Sequence, residues 1–411
     1  MARIHQKKFI AEVTFIAATI VAAMTIFFSS NVLAEEIVVG AMHDRSGSHA
    51  LYGTEMDDAV KFAVEEINSA GGLLGKKIKL IAYDTQSNMQ VYGQYATRLA
   101  TREKASVVFG GVSSASREVI RPIFDRYGVL YFYNTFYEGG VCDKNTFVCG
   151  ETPAQMIGPA LSYVLERFKS KRLYSMWADY NYGHICSTWL ENFVKKQGAE
   201  LVAKDFYPLD VTDFSSVITK IQEAKPDLVI SGLVAGNHMG FYRQWAAAGM
   251  NGKIPMHALV LGPWENRSLQ PKETEGIITS YHYFENIDSP KNKAFVTKWR
   301  AKFGKNYPEI GTLAVTTYDG VMLWKLAVQK AGTVERKAVI KALESGIGFE
   351  GPGGYVKMHP ESHHMIMSIM TTELVNGKFK VVGKLENVMP SDTAALCDLI
   401  AKPDQATQYQ P

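Results

Sequence analysis

Past its first 34 residues the sequence has no apolar run long enough to span a bilayer, which takes about 20 residues. It has little net charge: 44 lysines and arginines stand against 41 aspartates and glutamates, a formal +3. Such a balance gives no footing for nucleic-acid or membrane-surface binding. There are four cysteines and no C-x-x-C pair, so redox catalysis has no motif behind it. No G-K-[ST] follows the glycines at 139 and 140, and GVSSAS is not G-x-S-x-G. Phosphate-loop and hydrolase readings therefore lack their motifs. His359, His363 and His364 stand together without a carboxylate or cysteine at a zinc spacing, and they are expected on a surface hairpin rather than around a metal. No cofactor is implied. Low-complexity tracts and short repeats are also missing.

What is present begins with an address. Arg3, Lys7 and Lys8 precede an apolar stretch from Phe9 to Phe28, and Val32-Leu33-Ala34 supplies a small-x-small ending. The pattern predicts a signal peptide over 1–34, cleaved near Ala34, with export to the periplasm. Glu12 interrupts the apolar stretch, which argues against an uncleaved anchor, and no cysteine stands at the cleavage point to take a lipid. Removing the leader leaves a net charge of about +1. The remainder is long enough for two domains, and at 46% hydrophobic and 21% charged it can bury full cores.

Strand and helix patterns then alternate. Apolar strands are read at 37–42, 77–83, 107–109 and 129–132, with amphipathic helices at 57–67 and 89–102 and a third between the last two strands. The stretch Val107 to Gly140, VVFGGVSSASREVIRPIFDRYGVLYFYNTFYEGG, is a strand–loop–helix–strand unit. Val119, Ile120, Ile123, Phe124 and Tyr127 recur at helical spacing. Both strands end in polar clusters: Ser113, Ser114 and Ser116 after the first, Tyr133, Asn134 and Thr135 after the second. Parallel pairing puts both clusters on the C-terminal strand edge, where open α/β sheets hold ligands. A helix start at Ser114 adds free N–H groups suited to a carboxylate or carbonyl oxygen. The plainer alternative makes these serines N-caps and nothing more.

The alternation restarts after Thr152-Pro153. Strands are read at 173–177, 201–207, 228–230 and 254–261, with helices at 156–168, up to 197, 214–223 and 235–248. The first of these strands ends in Asp179-Tyr180-Asn181-Tyr182-Gly183, and the last in Gly262-Pro263-Trp264-Glu265. Helices follow at 291–303 and 311–330, then hairpins turning at 351–354 and 376–377. Two doubly wound lobes with a cleft between them are the expected fold. Cys142 and Cys149 bracket the short loop CDKNTFVC, and a bridge between them is expected; Cys186 and Cys397 can pair if the C-terminal tail folds back on the second lobe. Four cysteines permit three connectivities.

In its opening VVGAMHDRSGSHALYGTEMDDAVKFAVEEINSAGGLLGKKIKLIAYD, and in the order of its later motifs, the chain resembles the leucine-binding protein family. These are type I periplasmic solute-binding components of ABC importers. FGGVSSASR and YNTFYEG are similar to the amide- and urea-binding branch. The resemblance implies two Rossmann-like lobes on a multi-strand hinge: 35–152 with 285–355, and 153–284 with 356–400, followed by a tail at 401–411. It implies an amino acid or amide-like solute as ligand and inner-membrane permease subunits with their ATPases as partners. By motif, Ser114 and Thr135 take the ligand's polar head, with Ser113 and Tyr133 beside them, and Tyr182 closes from the second lobe near Tyr180. Amino-acid binders have an acidic residue after the Gly-Pro of the late second-lobe loop; here Trp264 holds that place and Glu265 comes one step later. Glu265 or Asp179 is the expected partner of a cationic nitrogen. A sensory binding protein of the same fold and an exported amidase-like enzyme are the alternatives, and each tyrosine has packing as its bland reading.

Overall fold

The computed structural model describes residues 36–411, and the leader with its cleavage point lies outside the described residues. The first half builds β1 (Ile37–His43), α1 (Ala50–Ser69), β2 (Ile78–Asp84), α2 (Met89–Thr101), β3 (Val107–Gly110), α3 (Ser114–Tyr127), β4 (Leu130–Tyr133), β5 (Val141–Asp143) and β6 (Thr146–Val148). Five of these strands form a parallel sheet in the order β2-β1-β3-β4-β6. The apolar run of β3 has no polar alternation because both its faces are covered. Val107 and Phe109 face a core shared with Ala59, Val60 and Ala63 of α1. Val108 faces the other core, with Leu99 of α2 and Ile120 and Phe124 of α3.

The chain then enters a second α/β layer: α4 (Pro153–Phe168), β7 (Arg172–Ala178), α5 (Asn181–Lys196), β8 (Glu200–Tyr207), α6 (Ser215–Ala224), β9 (Leu228–Gly232), α7 (Ala235–Ala247), β10 (Met256–Ala258), α8 (Pro263–Asn266), α9 (Pro271–Thr274) and β11 (Ile277–Tyr281). β8-β7-β9-β10-β11 run parallel. The strand expected over 254–261 is three residues long, because Leu259 to Gly262 leave the sheet to form the loop before Pro263. α10 (Pro290–Phe303) and α11 (Thr312–Ala331) return to the first core, where Phe295 and Trp299 pack on Phe62 of α1.

After α12 (Arg336–Leu343) come β12 (Gly348–Gly351), β13 (Gly354–Met358), β14 (Met365–Val375) and β15 (Lys378–Val388), which extend the second sheet with antiparallel pairs. β14 belongs to both lobes: Met365, Met367 and Ile369 lie in the first core, Met370 and Leu374 in the second. The chain therefore crosses between the lobes after β6, after β11, along β14 and again beyond β15, and buried polar groups tie the lobes together. Glu151 accepts from the His282 amide at 2.8 Å and from Thr312 Oγ1 at 2.7 Å; His282 Nδ1 lies 2.8 Å from the Ser368 carbonyl.

The cysteines pair differently from the local expectation. Cys142 is bonded to Cys397, 255 residues away, while Cys149 and Cys186 are free and buried. Cys142 on β5 sits in a small cluster with Cys397 and Leu399. Cys149 points instead into the first core, against Gly320 of α11. Beyond α13 (Ser391–Ala394) the tail folds back on the first lobe, not the second: β16 (Ala406–Gln408) pairs antiparallel with β5. The three late histidines are a second correction. His363 and His364 are buried, stacked on Phe147 and Tyr137. His363 also pairs with Glu344 at 3.1 Å.

Candidate functional site

The C-terminal edges of both parallel sheets face one small cavity of about 30 Å3. From the first lobe it is lined by His49 and Tyr52 at the start of α1, by Val112, Ser113 and Ser114 after β3, and by Tyr133, Thr135 and Phe136 at the end of β4. From the second lobe come Tyr180 and Tyr182 after β7, Val234 after β9 and Val260 after β10. The structure thus brings together Ser113, Ser114, Tyr133, Thr135, Tyr180 and Tyr182. Glu265 and Asp179 are not in the lining. Asp179 is half exposed and pairs with His184 at 2.8 Å. Glu265 is buried, accepts the Gly262 amide at 2.9 Å and lies 3.4 Å from His238. Trp264 packs across the lobes, edge-on to Tyr52 at 5.9 Å and stacked on Phe136 at 6.4 Å between ring centres.

Two glycines let the loops come this close. Gly111 has φ +78, and a Cβ there lands 2.6 Å from Tyr131 Oη; a Cβ at Gly183 lands 1.9 Å from the Ala178 carbonyl. Both positions exclude a side chain.

The two neighbouring serines do different work. Ser113 is the N-cap of α3: its Oγ accepts from the Ser116 amide at 3.2 Å, and Ser116 Oγ in turn accepts from the Val112 amide at 3.1 Å. Ser114 does not cap; its Oγ donates to Glu138 Oε2 at 2.5 Å. Glu138 is fully buried and paired with the equally buried Arg117 at 2.5 Å. Gln408 of the tail donates to the same carboxylate at 2.9 Å. The Arg117 guanidinium also lies 5.1 Å and 4.8 Å from the ring centres of Tyr133 and Tyr137. Burial pushes the Glu138 carboxyl up, but Arg117 and the hydrogen bonds from Ser114 and Gln408 outweigh it, so its pKa lies below the ordinary value. The carboxylate is ionised at neutral pH and can only accept.

Three hydroxyls from β4 and its loop donate to three successive carbonyls at the end of β3: Tyr131 to Gly110 at 3.0 Å, Thr135 to Gly111 at 3.3 Å, Tyr133 to Val112 at 3.0 Å. In the second lobe, Tyr182 Oη is buried with no hydrogen-bond partner among the described residues. Burial lowers the His49 pKa against the pull of Asp44, so its imidazole is neutral near pH 7. No charged side chain lines the cavity among the described residues. Metal chemistry has no cluster to use there: no group of three His, Cys, Asp or Glu is placed to hold an ion among the described residues.

Arg117, Glu138 and Gln408 were missed from sequence. Glu138 reads as part of a Gly-Gly turn, which it is; its partner lies 21 residues back and its third contact 270 residues on. The run FYNTFYE, dense in polar aromatics between two buried strands, was the available signal.

Comparison with known proteins agrees with this fold. A Leu/Ile/Val-binding protein homolog 7 of Brucella abortus (strain 2308) is 27% identical over 331 residues, which covers 75% of this chain and 81% of the relative. A solute binding protein of an ABC transporter from Rhodopseudomonas palustris BisB5, solved with 3,4-dihydroxybenzoic acid, superposes with a TM-score of 0.78 at 22% identity over 88% of this chain and 99% of its own. The branched-chain amino acid transporter substrate binding protein LivJ of Streptococcus pneumoniae, solved with isoleucine, gives 0.74 at 23% identity over 85% and 99%. The family described as periplasmic binding protein domain matches residues 37–395. The chain belongs to the periplasmic binding protein family.

Proposed function

We propose that this protein captures a small, neutral, planar solute of the amide or urea type in the periplasm and hands it to inner-membrane permease subunits. The observation that carries the choice of ligand is the neutral lining of the cleft. A zwitterionic amino acid brings an ammonium group, and burying it without a carboxylate partner is costly. Trp264 stands where the resemblance expects that carboxylate, and Glu265 is engaged with Gly262 and His238. The aromatic acids and isoleucine seen in relatives each bring a carboxylate, and no cation lines this cavity to meet one. Tyrosine rings on either side suit a flat group. Closure of the lobes about the segments that join them commits the solute, driven by its preference for the closed form.

Thermal-shift and calorimetric titration against short amides, urea and amino acids tests the proposal. An amide or urea is expected to raise the melting temperature by mass action and to be recovered unchanged. Turnover of the amide, or a shift by amino acids alone, would overturn it. Removing both hydroxyls in Ser114→Ala/Thr135→Ala should abolish the ligand's shift; unaltered affinity in that double variant sinks the site.

A further inference from the structure

We infer that Glu138, held by Arg117 outside the cleft, fixes the direction of the Ser114 hydroxyl and so makes the first-lobe face of the cleft a reader of N–H donors. The inference rests on the cleft being the ligand site and goes on to name how that site chooses.

A serine hydroxyl has one proton and can donate or accept toward a ligand. Here that freedom is gone. Glu138 Oε2 lies 2.5 Å from Ser114 Oγ and, as a carboxylate, can only accept. The Ser114 proton therefore points away from the cleft, and its lone pairs face in. The same holds for its neighbours: the Tyr133 proton goes to the Val112 carbonyl and the Thr135 proton to the Gly111 carbonyl. Three lining oxygens thus present acceptors together. Ser113 is the counterpoint. Its Oγ already accepts from the Ser116 amide, which leaves its own proton to give, beside the unbonded N–H groups that begin a helix. One side of the first-lobe face receives a carbonyl oxygen and the other side receives N–H groups. An amide satisfies both. The carboxylate of the same shape carries no N–H, and its second oxygen would meet only acceptors.

The arrangement also says how to reverse it. Glu138 Oε1 takes the Arg117 guanidinium and the Gln408 amide, whereas Oε2 takes Ser114. In Glu138→Gln the side-chain carbonyl is held on the Arg117 side and the NH2 group faces Ser114. Ser114 must then accept from it and turn its own proton into the cleft. Glu138 is a positioning residue, acting through Ser114, so its signature is a change in the ratio of affinities rather than in affinity alone.

Calorimetric titration of the full mature chain with matched pairs (acetamide and acetate, propionamide and propionate, benzamide and benzoate) tests this. The wild type is expected to prefer the amide of a pair, and Glu138→Gln to shrink that preference by about tenfold, the reach of one hydrogen bond gained or lost. Ser114→Ala should shrink it too, and adding Glu138→Gln to Ser114→Ala should change the ratio no further. A purely structural Glu138 weakens both members of a pair equally; an unchanged ratio, a wild-type preference for acids, or no binding of any amide overturns the inference. If Glu138→Gln does not fold, the Ser114→Ala ratio decides in the same two directions. Ser114→Ala and Tyr182→Ala that leave every affinity unaltered remove the cleft itself as the site, whereas lost affinity at constant ratio removes only the hydroxyl direction.

Discussion

The two halves of the cleft are built on the same plan and prepared in opposite ways. In the first-lobe half, the protons of Ser114, Tyr133 and Thr135 are already assigned to protein acceptors, and an ion pair stands behind them. In the second-lobe half, Tyr182 Oη and Trp264 Nε1 are buried without hydrogen-bond partners among the described residues, and Val234 and Val260 offer only apolar surface. The difference separates two tasks of a closing binder. A face whose groups are fixed in advance loses little freedom when a ligand arrives. A face with rings and an unmet hydroxyl gains most from a ligand that fills it, which favours the closed arrangement.

The sharpest way to break the comparison is to disturb the ion pair behind the first-lobe face. Arg117→Met leaves Glu138 buried without its cation, and removing one partner of such a pair costs about 3–5 kcal/mol. Urea denaturation should report a loss of that size; a loss under 1 kcal/mol would mean that Glu138 takes up a proton without consequence. Next in size is the tail that carries Gln408 to the same carboxylate. Replacing Cys142 and Cys397 by serine removes a cross-link over 255 residues and should cost about 2–4 kcal/mol. Because β16 also pairs with β5, ligand affinity should change far less than stability. Equal losses in both would show that the cross-link holds Gln408 in place.

How far the sequence carries the reader differs between these parts. VVF before a Gly-Gly turn declares a strand buried on both faces, and a polar cluster after each apolar run places the cleft edge; both are local signals. Arg117 and Arg121 of α3 are four residues apart and look like a solvated stripe. In the fold that stripe is buried against Glu138, Asp143 and the tail, while Tyr127, counted on the apolar face, is 43% exposed. Their partners come from later turns and from the C-terminus, so no local periodicity can announce them. The cysteines teach the same lesson. Cys142 and Cys149 are close in sequence, but one belongs to the tail's cluster and the other to the core under α11. Spacing suggests a bridge; which way each side chain faces decides it.

A smaller effect is expected at the seam where the halves meet. Glu55 of α1 accepts the Gly311 amide at 3.2 Å, and burial raises its pKa to about 8. Between the unfolded value and about pH 8 the folded protein keeps a proton that the unfolded chain has lost. Stability from this group is therefore complete below the unfolded pKa and falls as pH rises through that window. The slope approaches 1.4 kcal/mol per pH unit, or about 2–3 kcal/mol between pH 5 and 7. Chemical denaturation over that range should show the fall in the wild type and a flatter profile in Glu55→Gln. Parallel profiles would mean that Glu55 is ionised in the folded protein.

The smallest change asks the comparison its finest question. Tyr182→Phe removes the one oxygen of a buried ring and nothing else. For a hydroxyl bonded within the protein, its removal costs stability; for one left without a partner, it costs little or even stabilises. The apo melting temperature should therefore hold or rise slightly. With ligand present the oxygen has a donor or acceptor to meet, and affinity for the best amide of the panel should fall about 2- to 10-fold. The control lies in the first lobe: Tyr133→Phe frees the Val112 carbonyl that Tyr133 now satisfies, so it should lower the apo melting temperature. If both substitutions act alike on the apo protein, the two halves are equally prepared and the division of labour between them falls.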